Sequence, residues 1–415
     1  MAPSIHLCVL IHGLWGVPQH LSYLADTLRD HHPDRDDLHI LTASANASNK
    51  TYDGIDVCAE RVAHEIEGTV EELEREGQSV VTRLSIVGYS LGGLIARYTV
   101  GLLYSSGLFE RIEPVNFTTF ATPHLGVRTP KRGWRSELWN VLGAKTLSVS
   151  GQQMFLVDRF RDTGRPLLAV LADESSVFVK GLRRFRHRSL YANAVNDRSV
   201  PYYTAAASSN DPFVDLEAVD LHYLPDQEDP VVLDPAQPVS SRTSPSQPNS
   251  WALLSPQARK VLPMYAVMIT LLPIALPTYF VNAAYQTYIS TQRVRLHEAG
   301  GAGLSPARYR IRLLEDVQPV HDRMYERLAE RAGEEYLPTP PPESPSEKSS
   351  SFPTLALNDD QFAMIASLDR LRFDKYPVHI QRHRHTHAAI VVRMRKPGFA
   401  EGEVVVRHWA REFKV

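Results

Sequence analysis

In the N-terminal half of the chain, short and nearly continuous apolar runs alternate with longer stretches whose apolar residues recur at helical spacing. Ile5 to Ile11, broken only by His6, reads as a strand buried on both faces, as parallel strands are. Pro18 to Arg29 reads as a helix and Leu38 to Leu41 as a short strand. Asp56 to Glu74 predicts a helix with Val57, Val62, Ile66, Val70 and Leu73 on one face. Leu84 to Val87 reads as a strand, the run from Leu91 as a helix, and Val115–Phe120 and Ser189–Val195 as further strands. Near the end, Phe362 to Leu371 has helical spacing, and Ala388–Val392 and Val404–Val406 are apolar runs that return to the core. Strands alternating with helices predict an α/β fold, a mostly parallel sheet flanked by helices.

Two breaks interrupt this pattern. Pro225 to Ser255 turns to Pro, Ser, Asp and Gln and reads as a flexible linker. Beyond it, no charged residue occurs from Val261 to Gln292, and Leu262 to Ala284 is long and apolar enough to span a bilayer. Pro263, Pro273 and Pro277 disfavour a straight span, so a kinked or re-entrant segment at a membrane or lipid surface is expected, with a buried lid or core helix pair as the alternative. Lys260, Arg293 and Arg295 would then suit headgroups. Pro306 to Ala332 is charge-rich and amphipathic, and Pro338 to Pro353 reads as an extended Pro/Ser linker. The expected organisation is a core over 1–224, a linker over 225–255, an apolar segment plus amphipathic helix over 256–335, a linker over 336–358, and a stretch completing the core over 359–415.

Composition adds exclusions. A formal charge of −2 argues against a nucleic-acid partner held by electrostatics. Cys8 and Cys58 are the only cysteines, which implies no disulfide framework and fits a reducing compartment. Ile5 to Ile11 is too short for a secretory leader and lacks a basic lead-in, so an intracellular protein at a membrane or lipid-droplet surface is expected.

The chemistry concentrates at Gly88-Tyr89-Ser90-Leu91-Gly92, between a predicted strand and a predicted helix. That context turns a weak Gly-x-Ser-x-Gly match into a nucleophile elbow, in which a strained turn lifts the serine hydroxyl above the sheet. Gly88 and Gly92 are expected where a β-carbon would clash. His12-Gly13-Leu14-Trp15-Gly16 follows the first strand, where such folds draw one oxyanion-hole amide. The backbone N–H groups of Leu14 and Leu91 are the candidate donors. Asp197, just past the Ser189–Val195 strand, is the candidate acid. For the base, the cluster His383, His385 and His387 follows both linkers; His387 is the first choice and His385 the runner-up. Alternate histidines also suit a metal, but no cysteine or compact acidic set accompanies them. His124, in a loop after the Val115–Phe120 strand, reads as a structural histidine before a substrate contact. A Ser-His-Asp arrangement needs no metal or organic cofactor.

With these residues in place, the chain resembles the fungal putative serine esterase family. The resemblance rests on Val9–Gly16, Gly88–Arg97, Thr122-Pro123-His124-Leu125-Gly126, Leu190–Arg198 and Val200-Pro201-Tyr202-Tyr203. It implies an α/β-hydrolase fold, a triad of Ser90, Asp197 and His387, and lipase or phospholipase activity on lipid esters at a lipid surface. A lipid acyltransferase or protein depalmitoylase would use the same triad, and a silent hydrolase fold tethering partners to a membrane is the non-enzymatic alternative.

Overall fold

A computed structural model describes residues 2–77, 79–127, 148–242, 284–300 and 357–415, with Thr278, Val281, Asn282 and Leu355. Six strands form one sheet: β1 (Ser4–Ile11), β2 (Leu38–Thr42), β3 (Val80–Tyr89), β4 (Glu113–Phe120), β5 (His187–Asn193) and, after the long insertion, β8 (Asp374–Val378). Their order is β2-β1-β3-β4-β5-β8 and every pairing is parallel. The fold is that of the α/β hydrolases. A two-stranded antiparallel pair, β6 (Val219–Leu221) and β7 (Val239–Ser241), stands apart.

Strand alternation decides what packs where. Leu7, Val9 and Ile11 of β1, with Leu84 and Ile86 of β3, face a core shared with α2 (Ile55–Leu73), α3 (Leu91–Ser105) and α4 (Val177–Arg184). Cys8 and Leu10, with Val87 and Tyr89, face the opposite core, built from α1 (Ser22–His31) and α6 (Ala400–Glu412). Between these last two helices lies α5 (Asp359–Asp369) in chain order; it packs through Met364, Ile365 and Leu368 on the α3 side. The interior strands are therefore buried on both faces, with the buried polar side chains of His6, Ser85 and Asn116 hydrogen-bonded to one another across β1, β3 and β4. The strand order reverses between β1 and β3, and at such a point the strand-to-helix loops diverge and leave a crevice at the carboxyl ends.

The linker expected over 225–255 is corrected by the part of it described. Val231, Val232 and Leu233 are fully buried. They lie along the outer edge of β8: Leu233 N–H donates to Pro377 O at 2.9 Å, and His379 N–H donates to Val231 O at 2.8 Å. Gln227 satisfies the turn before them, accepting from Val232 N–H at 2.8 Å and donating to Leu224 O at 2.8 Å. The Pro/Asp-rich composition is real, but three apolar residues suffice to cover an exposed sheet edge. Residues 243–255 lie outside the described residues. So do the apolar stretch 262–284 except for its last few positions, the amphipathic 306–332 and most of 336–358. The end of that second linker is packed rather than loose, with Leu355 and Leu357 against the core. Among the described residues no helix is long and apolar enough to cross a membrane.

Arg293, expected at headgroups, is instead engaged by the core. Its guanidinium lies 2.7 Å from the buried carboxylate of Asp53. Arg295, two residues on, is exposed.

The edge segment gives a stability test. Leu233→Ala is expected to lower unfolding free energy by about 2–4 kcal/mol, read as a fall in the denaturation midpoint. A loss below about 0.5 kcal/mol, the usual size for an exposed position, would return this segment to linker status.

Candidate active site

Ser90 sits between β3 and α3 with φ 56° and ψ −129°, a conformation that side-chain-bearing residues seldom adopt. Three features hold it there. Its N–H donates to Phe120 O at 2.8 Å, and its carbonyl accepts from Gly93 N–H at 3.0 Å. The third is close packing: a β-carbon on Gly92 would lie 2.2 Å from Ile11 O, and one on Gly88 would lie 2.4 Å from the Gly93 Cα. Both elbow glycines are therefore demanded by contact. The approach at Gly13 is equally tight, since a β-carbon there would come within 2.7 Å of the Ser90 Cβ and 3.2 Å of its Oγ. The loop after β1 thus runs directly against the serine.

This placement bears on the two candidate amide donors. Ser90 N–H is committed to β4, so the first amide of α3 is that of Leu91, one of the N–H groups a helix leaves without an internal acceptor. Trp15 N–H is committed to Thr51 Oγ1 at 3.1 Å. Leu14 is the residue between this anchor and the Gly13 contact. Its position follows from both ends of the loop being fixed.

The structure brings Ser90, Asp197 and His387 together. His387 Nε2 lies 3.0 Å from Ser90 Oγ, and His387 Nδ1 lies 2.8 Å from Asp197 Oδ2. The Asp197 side chain is buried and the His387 side chain is about one-fifth exposed, so the acid is shielded while the ring borders the open mouth. Asp197 is held on all sides: Oδ1 accepts from Ser199 N–H at 2.9 Å and Val200 N–H at 2.8 Å, and Oδ2 accepts from Asn193 Nδ2 at 2.9 Å. Such donors fix the orientation of the carboxylate.

His385, the runner-up, lies elsewhere. It is exposed, its N–H donates to His383 Nδ1 at 3.0 Å, and the two rings lie 5.5 Å apart, tilted by 47°. His124 is buried beneath the site, with Nε2 3.0 Å from Thr119 Oγ1. Burial, with the Arg97 guanidinium nearby, holds its pKa well below the ordinary imidazole value, so it stays neutral. His12 is also buried and its pKa is lowered by that burial. Among the described residues no three His, Cys, Asp or Glu side chains converge as metal ligands.

Three contributors escaped the sequence reading. Asn193 orients Asp197 from the end of β5. Thr386 Oγ1 donates to Val195 O at 3.0 Å, tying the base's turn to the acid's loop. Tyr89, inside the elbow itself, donates its hydroxyl to His387 O at 2.8 Å and lays its ring 5.2 Å from the imidazole. Burial raises the Tyr89 pKa, so the phenol remains a donor. Asn193 lies inside the Leu190–Arg198 stretch and could have been flagged by its spacing from Asp197; the roles of Tyr89 and Thr386 carry no local signal.

Comparison with known proteins adds a family. The description "Putative serine esterase (DUF676)" matches residues 2–210. The chain is 30% identical over 239 residues to the Saccharomyces cerevisiae protein named "Putative lipase ROG1", covering 57% of this chain and 33% of that one. It is 28% identical over 209 residues to "Putative lipase C4A8.10" of Schizosaccharomyces pombe, covering 48% and 26%. The chain thus spans about a third or less of the length of the curated relatives it matches. Among solved structures, Bacillus licheniformis lipase BlEst2 in propeptide form aligns with a TM-score of 0.30 at 14% identity, covering 46% of this chain and 36% of that chain. Phospholipase PlaB from Legionella pneumophila aligns with a TM-score of 0.30 at 13% identity, covering 50% and 42%. Scores this low carry no argument about the site.

The Tyr89 contact is separable from the rest of the site. Tyr89→Phe keeps the ring and removes one hydrogen bond from the base's backbone, so kcat on a soluble ester is expected to fall about 3- to 10-fold with KM little changed. An unchanged kcat would mean that Asp197 and the Thr386 turn position the imidazole without it.

Proposed function

Because the chain belongs to the family described as putative serine esterases, we propose that it is a carboxylic-ester hydrolase whose nucleophile, base and acid are Ser90, His387 and Asp197. The observation that carries this reading is the unbroken relay from Ser90 Oγ to His387 Nε2 at 3.0 Å and from His387 Nδ1 to Asp197 Oδ2 at 2.8 Å.

The steps follow from those contacts. His387 Nε2 takes the Ser90 hydroxyl proton as Oγ attacks the ester carbonyl carbon. The carbonyl oxygen becomes an anion, which the N–H groups of Leu14 and Leu91 receive. One such donor is worth about 3–4 kcal/mol of barrier. Asp197 stabilises the imidazolium and holds Nδ1 as its donor. Collapse of the tetrahedral adduct breaks the carbon–oxygen bond of the leaving alcohol, which takes the proton back from His387. Water then gives its proton to His387 and attacks the acyl carbon, and release of the acid returns the proton to Ser90.

For substrate class, we favour an acyl ester of a lipid. The relatives are named lipases, and the charge-free run from Val261 to Gln292 suits a lipid-borne substrate better than a freely soluble one.

Labelling with a fluorophosphonate probe tests the chemistry. Wild type should label, Ser90→Ala should not, and His387→Ala and Asp197→Asn should hydrolyse a short-chain ester about 10⁴-fold or more slowly, whereas His385→Ala retains activity. A folded wild type that fails to label would sink the esterase reading; loss of activity in His385→Ala with His387→Ala unaffected would move the base.

A further inference from the structure

The helix over 284–298, with helical Val281 just before it, turns several polar side chains inward and several large apolar ones outward. Its polar side faces inward. Ser290 and His297 are each 2% exposed. Ser290 Oγ donates to Asp53 Oδ1 at 2.7 Å, Arg293 Nε lies 3.0 Å from Asp53 Oδ2, and His297 Nε2 is 2.7 Å from Glu60 Oε2. Arg61 completes the ion pairing of Asp53 at 2.9 Å. Its apolar side faces out: Val281, Tyr285, Tyr288 and Leu296 are 71%, 59%, 62% and 58% exposed. At about 100° per residue these four fall on one arc opposite Ser290 and His297, an arc they share with the exposed Gln292 and Arg295.

The two faces cannot be exchanged cheaply. Rolling the stripe inward would leave the buried carboxylates of Asp53 and Glu60 without these partners, and a buried charge stripped of a partner is strongly destabilising. The ion pairs therefore fix the helix with its apolar side outward. Whatever covers that side is apolar, and two observations say what it is. Tyrosine is enriched at the boundary between hydrocarbon and headgroups. In the sequence, Val281, Tyr285 and Tyr288 lie in the run that carries no charge from Val261 to Gln292, and Leu296 follows Arg293 and the exposed Arg295.

We propose that this outward face, Val281, Tyr285, Tyr288 and Leu296, is the surface by which the protein docks on a lipid–water interface, held in that orientation by the Arg293–Asp53 ion pair and the His297–Glu60 hydrogen bond. The inference deepens the lipid-ester reading and rests on it for its purpose. The inner side of the helix is joined through the 48–52 turn to the loop that follows β1. Arg293 Nη2 donates to Asn49 O at 2.9 Å, and the same turn carries Thr51, which holds Trp15 N–H in the loop beside Ser90.

The test uses the full chain and phosphatidylcholine vesicles. Wild type and Ser90→Ala should co-float with vesicles equally. Tyr285→Ser/Tyr288→Ser/Leu296→Ser should partition about tenfold or more weakly while hydrolysing a short soluble ester at the wild-type rate. Both native cysteines are buried, so Tyr288→Cys accepts a single polarity-sensitive fluorophore, with Glu71→Cys on exposed α2 surface as control. A blue shift on adding vesicles at position 288 and not at 71 is the expected result. Equal flotation of the triple variant, or no shift at 288, would overturn the proposal. So would a concentration-dependent dimer of wild type that the triple variant abolishes, without vesicle binding, since the face would then belong to a second copy. Loss of probe labelling with flotation intact would instead count against the esterase reading alone.

Discussion

The strained turn at Ser90 is the constraint on which the rest of the site depends. A serine at φ 56° and ψ −129° is unfavourable by roughly 1–3 kcal/mol, and the surrounding packing must hold it. The neighbours that do so are themselves parts of the site. The β1–loop carbonyls lie where a Gly92 side chain would go, which brings the Leu14 loop alongside the nucleophile, and Phe120 O takes up the serine's own amide. The packing that keeps the turn strained therefore also brings the Gly13–Leu14 loop against the serine.

The base reaches that turn from the other end of the chain. After the insertion, β8 adds to β5 in parallel register and Ala194 N–H donates to Val378 O at 2.8 Å, so the loops that follow these two strands open at the same edge. Asp197 comes from one and His387 from the other. Tyr89 and Thr386 then pin the short turn carrying the imidazole to the elbow and to the acid's loop respectively. The 231–233 segment covers the far edge of β8 and gives this last strand a neighbour on both sides. A sheet edge left open there would carry the base on a less confined element.

Electrostatics orders the 284–298 helix in the way that apolar contact orders the rest. Asp53 gathers Arg61, Ser290 and Arg293, and Glu60 takes His297, with both acids on or beside the start of α2. Helices on the sheet bury apolar stripes and show polar ones. This helix does the reverse, because its neighbours are charges already removed from water, whose desolvation is offset only by opposite charges and hydrogen bonds.

The local physics was legible in the sequence. Continuous apolar runs marked strands buried on both faces, α2 announced itself by its single apolar stripe, and the elbow and the Gly13 loop were visible because close backbone approach demands glycine at fixed positions. Ser90 and Asp197 could be named for the same reason: each sits at a strand end, a place that periodicity marks. The family resemblance lent the hydrolase reading its chemistry. What composition suggested without periodicity was less secure, as the buried residues 231–233 and the core-bound Arg293 show. The sequence already ranked His387 above His385 by its place after both linkers; tertiary structure alone set Tyr89 and Thr386 around His387 and turned Ser290, Arg293 and His297 of a helix inward. Those outcomes depend on distances between residues hundreds of positions apart, which are fixed by the register of neighbouring strands and by which charges the folded core leaves buried, and no window of sequence contains either quantity.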